Sequence, residues 1–335
     1  MSEKSGDGND SAVKAKLNQV DAFQQQHKEI GIPVAVFRKF SEDKSTNLAS
    51  MIAFWAFFSV FPLFMVLVTL LGFFVPSDMK GQVLTRVGQM FPLLDTSTVS
   101  SLSGAWWALI IGILTALWSG SAVVRATQFA FNSVWEVPYV EHPKLVEQVL
   151  RSIWVLGTIG LGLVVSTLIT GFISGSANGV NLGWLGQVIG YLIAIALDVG
   201  LFVVAFRWLT DRDITTRDVL PGALLSGVAF WVLQSLSSLI ISRYLQNAQS
   251  TYGNFATVIT ILWWFYLQSI ITLLGAQLNV VLVERLHPRG LVDAPDTEAD
   301  HRAYDSYAKE RTYHEDEQVE AEFRGEDEQS QNRPS

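Results

Sequence analysis

The chain has 335 residues, of which 50% are hydrophobic and only 16% are charged. A soluble domain of this length carries about a quarter charged residues, so the composition excludes an ordinary soluble protein and predicts a membrane protein. The net charge of −8 arises from residues 291–335, which have fourteen acidic and five basic side chains, and the remainder of the chain sums to about +1.

The N-terminal part of the chain divides into two segments. Residues 1–31 are polar, with few side chains able to form a core, and this composition predicts a disordered or loosely helical tail. In residues 32–47 apolar side chains recur at helical spacing, with Arg38 and Lys39 between them. That pattern predicts an amphipathic helix at the membrane interface, with its basic side chains toward lipid phosphates. A soluble lead-in to the first span is the alternative.

Six apolar segments follow within residues 48–285, each long enough to cross a hydrocarbon core of about 30 Å. Pro62 lies in the middle of the first segment, where it removes a backbone hydrogen bond and should kink the helix. The predicted fold is therefore all-α, a polytopic membrane protein with a six-helix transmembrane bundle. The predicted spans cover residues of about 48–74, 105–124, 153–174, 187–209, 219–241 and 255–283.

Lysine and arginine residues near the ends of these segments are distributed unequally. Eleven of them flank one set of ends and three flank the other, and basic residues mark the cytoplasmic side. The sequence therefore predicts a multi-pass protein with both termini in the cytoplasm. The eleven are Arg38, Lys39, Lys44, Arg125, Lys144, Arg151, Arg207, Arg212, Arg217, Arg285 and Arg289, and the three are Lys80, Arg86 and Arg243.

The second span changes character along its length. Its first half is an uninterrupted apolar run, whereas its second half carries polar side chains at spacings of three and four, which fall on one face of an α-helix. We expect this face to border a polar vestibule inside the bundle. For Arg125 the alternative is a side chain that extends outward to lipid phosphates. The face comprises Trp118, Ser121, Arg125, Gln128, Asn132 and Trp135.

Other spans also contain polar residues. Asp198 is the central residue of the fourth span, where an acidic side chain costs roughly 2.5–3.5 kcal/mol and usually has a function. A single hydrogen bond between helices is the alternative for this carboxyl group. The last span has a polar face of its own, containing Gln268 and Asn279. These faces together predict a shared polar cavity lined by Arg125, Gln128, Asn132, Asp198, Gln268 and Asn279.

Two further patterns concern association. Gly171 with Gly175 and Gly186 with Gly190 form GxxxG pairs, which predict close helix packing and leave a homo-oligomer open. Residues 291–335 show no apolar periodicity and are predicted to be a disordered acidic tail, able to dock a cytoplasmic partner.

The residues of common catalytic and cofactor sites are missing. The sequence contains no cysteine, no histidine pair at metal-ligand spacing, no P-loop and no GxSxG or GxGxxG motif in a suitable context. We therefore expect no catalytic residues, no metal, no cofactor and no nucleic-acid partner, and we do not expect an enzyme.

Several stretches resemble the YihY family of bacterial inner-membrane proteins, the virulence factor BrkB group once labelled ribonuclease BN, in its YhjD-type branch. They are AFWAFFSVFP from residue 53, LWSGSAVVRATQFAFNSVW from residue 117, PGALLSG from residue 221 and TYGNFATVITILWWFYLQSIITLLGAQLNVV from residue 251. The resemblance implies a six-span protein of the bacterial plasma (inner) membrane with both termini inside, and a link to export of envelope lipids. The acidic GAE-like triplet usual in that family reads Gly275-Ala276-Gln277 here, so any ion coupling would fall to Asp198.

These observations predict a transporter or lipid-translocating protein with membrane lipids as partners. Its ligand would be an anionic lipid or a small anionic substrate that meets Arg125. A membrane scaffold that organises an envelope complex is the alternative, and ribonuclease activity finds no support in the residues.

Overall fold

The structure is a computed structural model that describes residues 21–74, 106–174, 183–236, 255–290 and 297–323. In those residues the regular elements are helices. We number the long ones α1 (Lys28–Glu42), α2 (Ser45–Phe74), α3 (Trp106–Val134), α4 (Leu145–Ser174), α5 (Gly183–Trp208), α6 (Thr216–Ser235), α7 (Phe255–Val283) and α8 (Glu298–Glu310).

Helices α2 to α7 are each long and apolar enough to cross a membrane, which confirms the six predicted spans. Their ends differ from the prediction where polar residues continue a helix beyond its apolar run. Helix α3 extends ten residues past the predicted end, through the polar stretch that finishes at Val134. Helix α2 runs through Pro62 without interruption, and the predicted kink stays a prediction.

The six helices form a closed ring in chain order. Each of them packs against the next, from α2 to α7, and α7 packs in turn against α2. Helix α7 also contacts α3 across the ring. This arrangement surrounds a common interior, because every helix has a neighbour on both sides.

The closest approach of two backbones lies between α6 and α7. A Cβ atom on Gly222 would lie 2.0 Å from the carbonyl oxygen of Gly275, and one on Gly275 would lie 2.0 Å from Ser226 Oγ. Small residues allow such an approach between helices in a membrane. The side chain of Asn279 bridges the contact, because its Oδ1 accepts a hydrogen bond of 2.6 Å from the backbone N–H of Gly222.

Helices α1 and α8 pack together at one end of the bundle, beside the start of α2 and the end of α7. We call this the terminal end. Arg289, which follows α7, joins the pieces, since its guanidinium donates to Asp300 of α8 at 2.6 Å and to Glu42 of α1 at 3.0 Å. Its backbone carbonyl accepts a hydrogen bond of 2.6 Å from Gln24.

Two predictions for the terminal segments are wrong. Lys39 does not reach toward lipid phosphates, because its side chain is fully buried between Asp43 and Glu136. The tail is not disordered throughout, because Glu298–Glu310 form α8. The high charge of this segment hid no apolar periodicity, because α8 buries only small residues and one paired acid, Asp300. The helix begins with a capping box at Thr297.

The predicted N-terminal tail contains helix at its end. Residues 21–26 are helical, Gln24 is buried, and α1 begins at Lys28, so in this part of the segment the helical alternative describes the chain. Of the glycines in the two GxxxG pairs, Gly190 is buried. Gly175 lies outside the described residues, and so does the burial of Gly171 and Gly186.

Candidate functional site: a cavity at the centre of the bundle

The ring of helices lines a partly open cavity of about 640 Å³. Five of the six spanning helices α2 to α7 contribute side chains to it, and no described residue of α6 belongs to its lining. The lining residues are Ile52, Ala56, Leu63 and Val66 from α2; Ile113, Ala116, Leu117, Val123, Val124, Thr127 and Phe131 from α3; Val155, Leu156 and Gly160 from α4; Phe202, Ala205 and Leu209 from α5 and the turn after it; and Phe265, Gln268, Ser269 and Thr272 from α7.

The lining is mostly apolar, with four polar side chains. Three of them are hydroxyls that donate to carbonyls of their own helix: Thr127 to Val123 at 2.9 Å, and Ser269 and Thr272 to the residues one turn before them, both at 2.9 Å. Gln268 differs, because its side-chain amide makes no hydrogen bond within the described part of the chain. The cavity therefore offers a ligand one amide that has no hydrogen bond to the described residues, among hydrocarbon side chains.

Helix α3 turns its apolar side to this cavity. Val124, Thr127 and Phe131 line it, whereas the predicted polar face lies farther round the helix and is absent from the lining. In that face the guanidinium of Arg125 donates to Ser121 Oγ at 2.9 Å. The side chain of Gln128 is buried, and within the described ranges neither its amide nitrogen nor its amide oxygen has a hydrogen-bond partner.

Asn132 of the predicted face joins α3 to the turn after α5. Asn132 donates to Asp211 Oδ2 at 2.7 Å, and its Oδ1 accepts a hydrogen bond of 2.9 Å from the backbone N–H of Asp211. Arg151 of α4 pairs with the other carboxylate oxygen of Asp211. Asn132 therefore holds three elements together and does not face the cavity.

Asp198 lies one helical turn from Phe202 and on the same side of α5 as that cavity residue. It is half-buried, and its carboxyl group makes no hydrogen bond or ion pair to the described residues. The acid is thus adjacent to the described lining, on the part of α5 that leads away from the terminal end.

The six predicted cavity residues consequently fall into different environments. Gln268 lines the cavity, Asp198 borders it, and Asn132 and Asn279 hold neighbouring elements together. Arg125 and Gln128 lie on the adjoining face of α3. The polar lining that the sequence predicts differs from the observed one, because amides and carboxylates in an apolar bundle are used first to join helices.

Reasoning from polar residues missed the apolar lining. A signal was present: the cavity faces combine large side chains such as Leu117 and Phe265 with small ones such as Ala116, Gly160 and Ala205. Small residues at such positions leave space when the opposite helix does not fill it. For Gly160, a Cβ atom would meet nothing within 4 Å.

Charged groups concentrate at the terminal end, outside the cavity. Burial opposes the ionisation of Asp300, but hydrogen bonds from Arg289 and from the N–H of Gly290 outweigh it and lower the pKa of this carboxyl to about 2. Within the described ranges, no three His, Asp or Glu side chains are grouped so that they could hold a metal ion.

Residues 36–300 match the model of the family described as "Virulence factor BrkB". A "Putative ribonuclease-like protein YfkH" of Bacillus subtilis is 24% identical over 268 residues, which cover 75% of this chain and 94% of that protein. No solved structure matches the chain.

Two further relatives carry the name "UPF0761 membrane protein". The one from Janthinobacterium is 29% identical over 232 residues, or 68% of this chain and 51% of that protein. The one from Pseudoalteromonas translucida is 24% identical over 295 residues, or 84% of this chain and 94% of that protein. This chain thus spans nearly all of some relatives and about half of others.

Proposed function

The chain belongs to the virulence factor BrkB family of membrane proteins, and we propose that it carries a lipid through the cavity at the centre of its bundle. One observation carries the proposal: an apolar, partly open cavity of about 640 Å³ lined by membrane-spanning helices. Cavities of roughly 300–1,000 Å³ with apolar walls and few polar groups are typical of sites for small apolar molecules.

The lining favours a lipid over a small polar solute. A hydrophilic substrate would lose its hydration without compensation, because three of the four polar side chains already bond to their own helices. An acyl chain needs no such compensation. The free amide of Gln268 would meet the polar part of the lipid, such as an ester carbonyl.

An anionic headgroup would have a cationic partner in this proposal. Arg125 makes its described hydrogen bond to a neutral hydroxyl, Ser121, and no described carboxylate pairs with it. Its charge remains available to a phosphate, which guanidinium groups bind well. Asp198, which borders the cavity, would then favour the departure of the anionic lipid by repelling it.

The proposed location is the bacterial plasma (inner) membrane, with both termini in the cytoplasm. Support comes from the excess of Lys and Arg at the terminal end, where α1, α8 and the turns after α3 and α5 meet. We also propose that the protein acts without catalysis, as a carrier for its substrate.

Two glycines on α4 provide a matched pair for the test. Gly160 lines the central cavity, and Gly157 lines a groove on the outer side of α4 and α5. A Cβ atom at either position meets nothing within 4 Å, so there is space for a side chain to begin at both sites. Gly160→Phe should fill the central cavity, while Gly157→Phe adds the same side chain outside it.

The assay uses vesicles of phosphatidylethanolamine and phosphatidylglycerol with a fluorescent phospholipid, whose movement between leaflets is followed by quenching from outside. Gly160→Phe should reduce movement to the level of protein-free vesicles, and Gly157→Phe should leave it close to wild type. Equal rates for both variants, at equal reconstitution, would contradict a route through the cavity.

The charge of the lipid is tested separately. Arg125→Ala should slow movement of fluorescent phosphatidylglycerol more than that of fluorescent phosphatidylcholine, because only the former has a net negative headgroup. If no lipid moves with the wild-type protein, lipid translocation is excluded. A rapid leak of a trapped organic anion would then favour transport of a small anion, and its absence would favour the scaffold.

A further inference from the structure

A buried group of charged side chains lies at the terminal end, where α1, α3 and α8 meet. The ammonium of Lys39 bonds to Asp43 Oδ2 at 2.8 Å and to the carboxylate of Glu136. The side chains of these three residues are 0%, 3% and 4% exposed, respectively. Gln277 of α7 also donates to Asp43, at 2.7 Å. We call Lys39, Asp43 and Glu136 the buried triad.

Helix α8 covers the triad. The ring of Tyr307 lies 5.2 Å from Lys39 Nζ, and its hydroxyl donates to Glu42 at 2.9 Å. The carboxylate of Glu310 accepts a hydrogen bond of 3.0 Å from Ser133, three residues before Glu136. Helix α8 thus brings a third acid to a region that contains two acids and one ammonium.

The charges around the triad do not balance when every acid is ionised. Lys39 faces Asp43, Glu136 and Glu310, and an excess of buried negative charge is strongly unfavourable. Arg311 lies near Glu310 and opposes the rise in the pKa of its carboxyl, which burial causes. The remaining ionisable groups around the triad are paired with one another. They are Arg38 and Glu42 of α1, Arg212 with Glu284, Arg289 with Asp300, and Asp305 with Lys309.

The backbone of Glu136 is consistent with a special role for its side chain. Helix α3 ends in a Schellman turn, with hydrogen bonds from the N–H of Glu136 to Ser133 O at 3.3 Å and from the N–H of Val137 to Asn132 O at 2.9 Å. Glu136 has φ 45° in this turn, a conformation that normally favours glycine. A glutamate at this position directs a carboxyl group to Lys39.

We propose that the buried triad is a binding site for one exchangeable proton, and that this proton holds α8 against the bundle. With the proton bound to Glu136, Lys39 and Asp43 neutralise each other. When the proton leaves, Glu136 faces Asp43 and Glu310 as a third anion, and release of α8 relieves the repulsion by admitting water.

The titration behaviour of Glu136 agrees with this geometry. Burial is the largest influence and raises the pKa of its carboxyl, Lys39 opposes the rise, and Asp43 adds to it, so that the pKa reaches about 8 from an ordinary 4.5. A raised pKa in the closed state means that closure is most favourable below the pKa of the open state. Its contribution is lost progressively between about pH 4.5 and pH 8.

A single cysteine reports the opening of α8. The natural chain has none, and Ala303 on α8 is fully buried. Ala303→Cys should react with a soluble thiol reagent only when α8 leaves the bundle. The labelling rate is measured in detergent micelles over pH 5.5–7.5 for two proteins, Ala303→Cys alone and Ala303→Cys combined with Glu136→Gln. At each pH the rate of the first protein is divided by the rate of the second. That ratio cancels the ionisation of the thiol itself.

The labelling rate relative to Glu136→Gln should rise about tenfold per pH unit, since one proton is lost on opening. Glu147→Gln is the control, because Glu147 is an exposed residue in the first turn of α4 and should leave the slope unchanged. A ratio independent of pH would overturn the proposal.

A second measurement covers the case in which Ala303→Cys perturbs packing. The protein with its natural Ala303 should show the infrared band of a protonated carboxyl group at pH 6.5, and Glu136→Gln should remove it. A band that persists unchanged in the variant would also overturn the proposal. Neither readout depends on lipid movement, so this inference and the proposed function are tested independently of each other.

Discussion

The central cavity and the buried triad show two opposite ways of treating polar groups in one bundle. In the cavity the walls are hydrocarbon, and the few hydroxyls bond to their own helices. At the terminal end, by contrast, several charged side chains bond to a different element, as Lys39 does to Glu136 and Arg289 does to Asp300. In the cavity the hydroxyls bond within their own helices, and the space between the helices stays unfilled. At the terminal end, polar side chains connect one helix to another.

This contrast separates the parts of the molecule that can bind from those that hold it together. A polar residue in an apolar bundle lowers its free energy by pairing with another element, and it is then unavailable to a ligand. Asn132 and Asn279 follow this rule. Gln128 is an exception in the described bundle, because it is buried with both amide atoms unsatisfied.

The terminal end should depend most strongly on its charges. Lys39→Met removes the ammonium that lies between Asp43 and Glu136, and leaving buried charges unpaired costs about 3–5 kcal/mol. We expect the free energy of unfolding, measured by denaturant titration in detergent micelles, to fall by that amount. Adding Glu136→Gln should recover part of the loss.

Lys44→Met makes the same chemical change at an exposed lysine five residues away and should have an effect within about 0.5 kcal/mol. Equal losses for the two lysine variants would show that the triad does not stabilise the fold.

The contact between α6 and α7 should show an intermediate effect. In Asn279→Leu the N–H of Gly222 loses its partner inside the bundle, at a cost of about 1–3 kcal/mol. Gln268→Leu is a suitable control, since its amide faces the cavity without a described hydrogen bond. The two variants are compared by their thermal unfolding midpoints, and a lower midpoint for Gln268→Leu would contradict the assignment of roles.

The smallest change should have the opposite sign. Gln128→Leu replaces two unsatisfied buried amide atoms by hydrocarbon of similar size, and should raise the free energy of unfolding by about 1 kcal/mol. Asn132→Leu, one turn further along the same helix, should instead lower it, because its two hydrogen bonds to Asp211 are lost. Denaturant titration of both variants under identical conditions measures the difference, and destabilisation by Gln128→Leu would indicate an unrecognised partner.

Much of the fold was predictable, and the site was predictable only in outline. The six spans follow from apolar length, which each segment carries by itself. Helix α8 was not recognised, because its packing depends on a partner outside the helix. Asp300 can be buried because Arg289 pairs with it, and helical periodicity does not show that pair. The same reason explains Lys39, whose burial depends on Glu136, nearly a hundred residues later in the chain.

The sequence by itself determined that this protein lies in a membrane, how many times its helices can cross it, and which residues are polar within those helices. Only the tertiary structure decided which way those residues face. Periodicity places Arg125, Gln128 and Asn132 on one side of α3, but the rotation of α3 within the ring is set by packing against α2, α4 and α7. That rotation directs Val124 and Phe131 to the cavity, and leaves the polar side to join neighbouring elements.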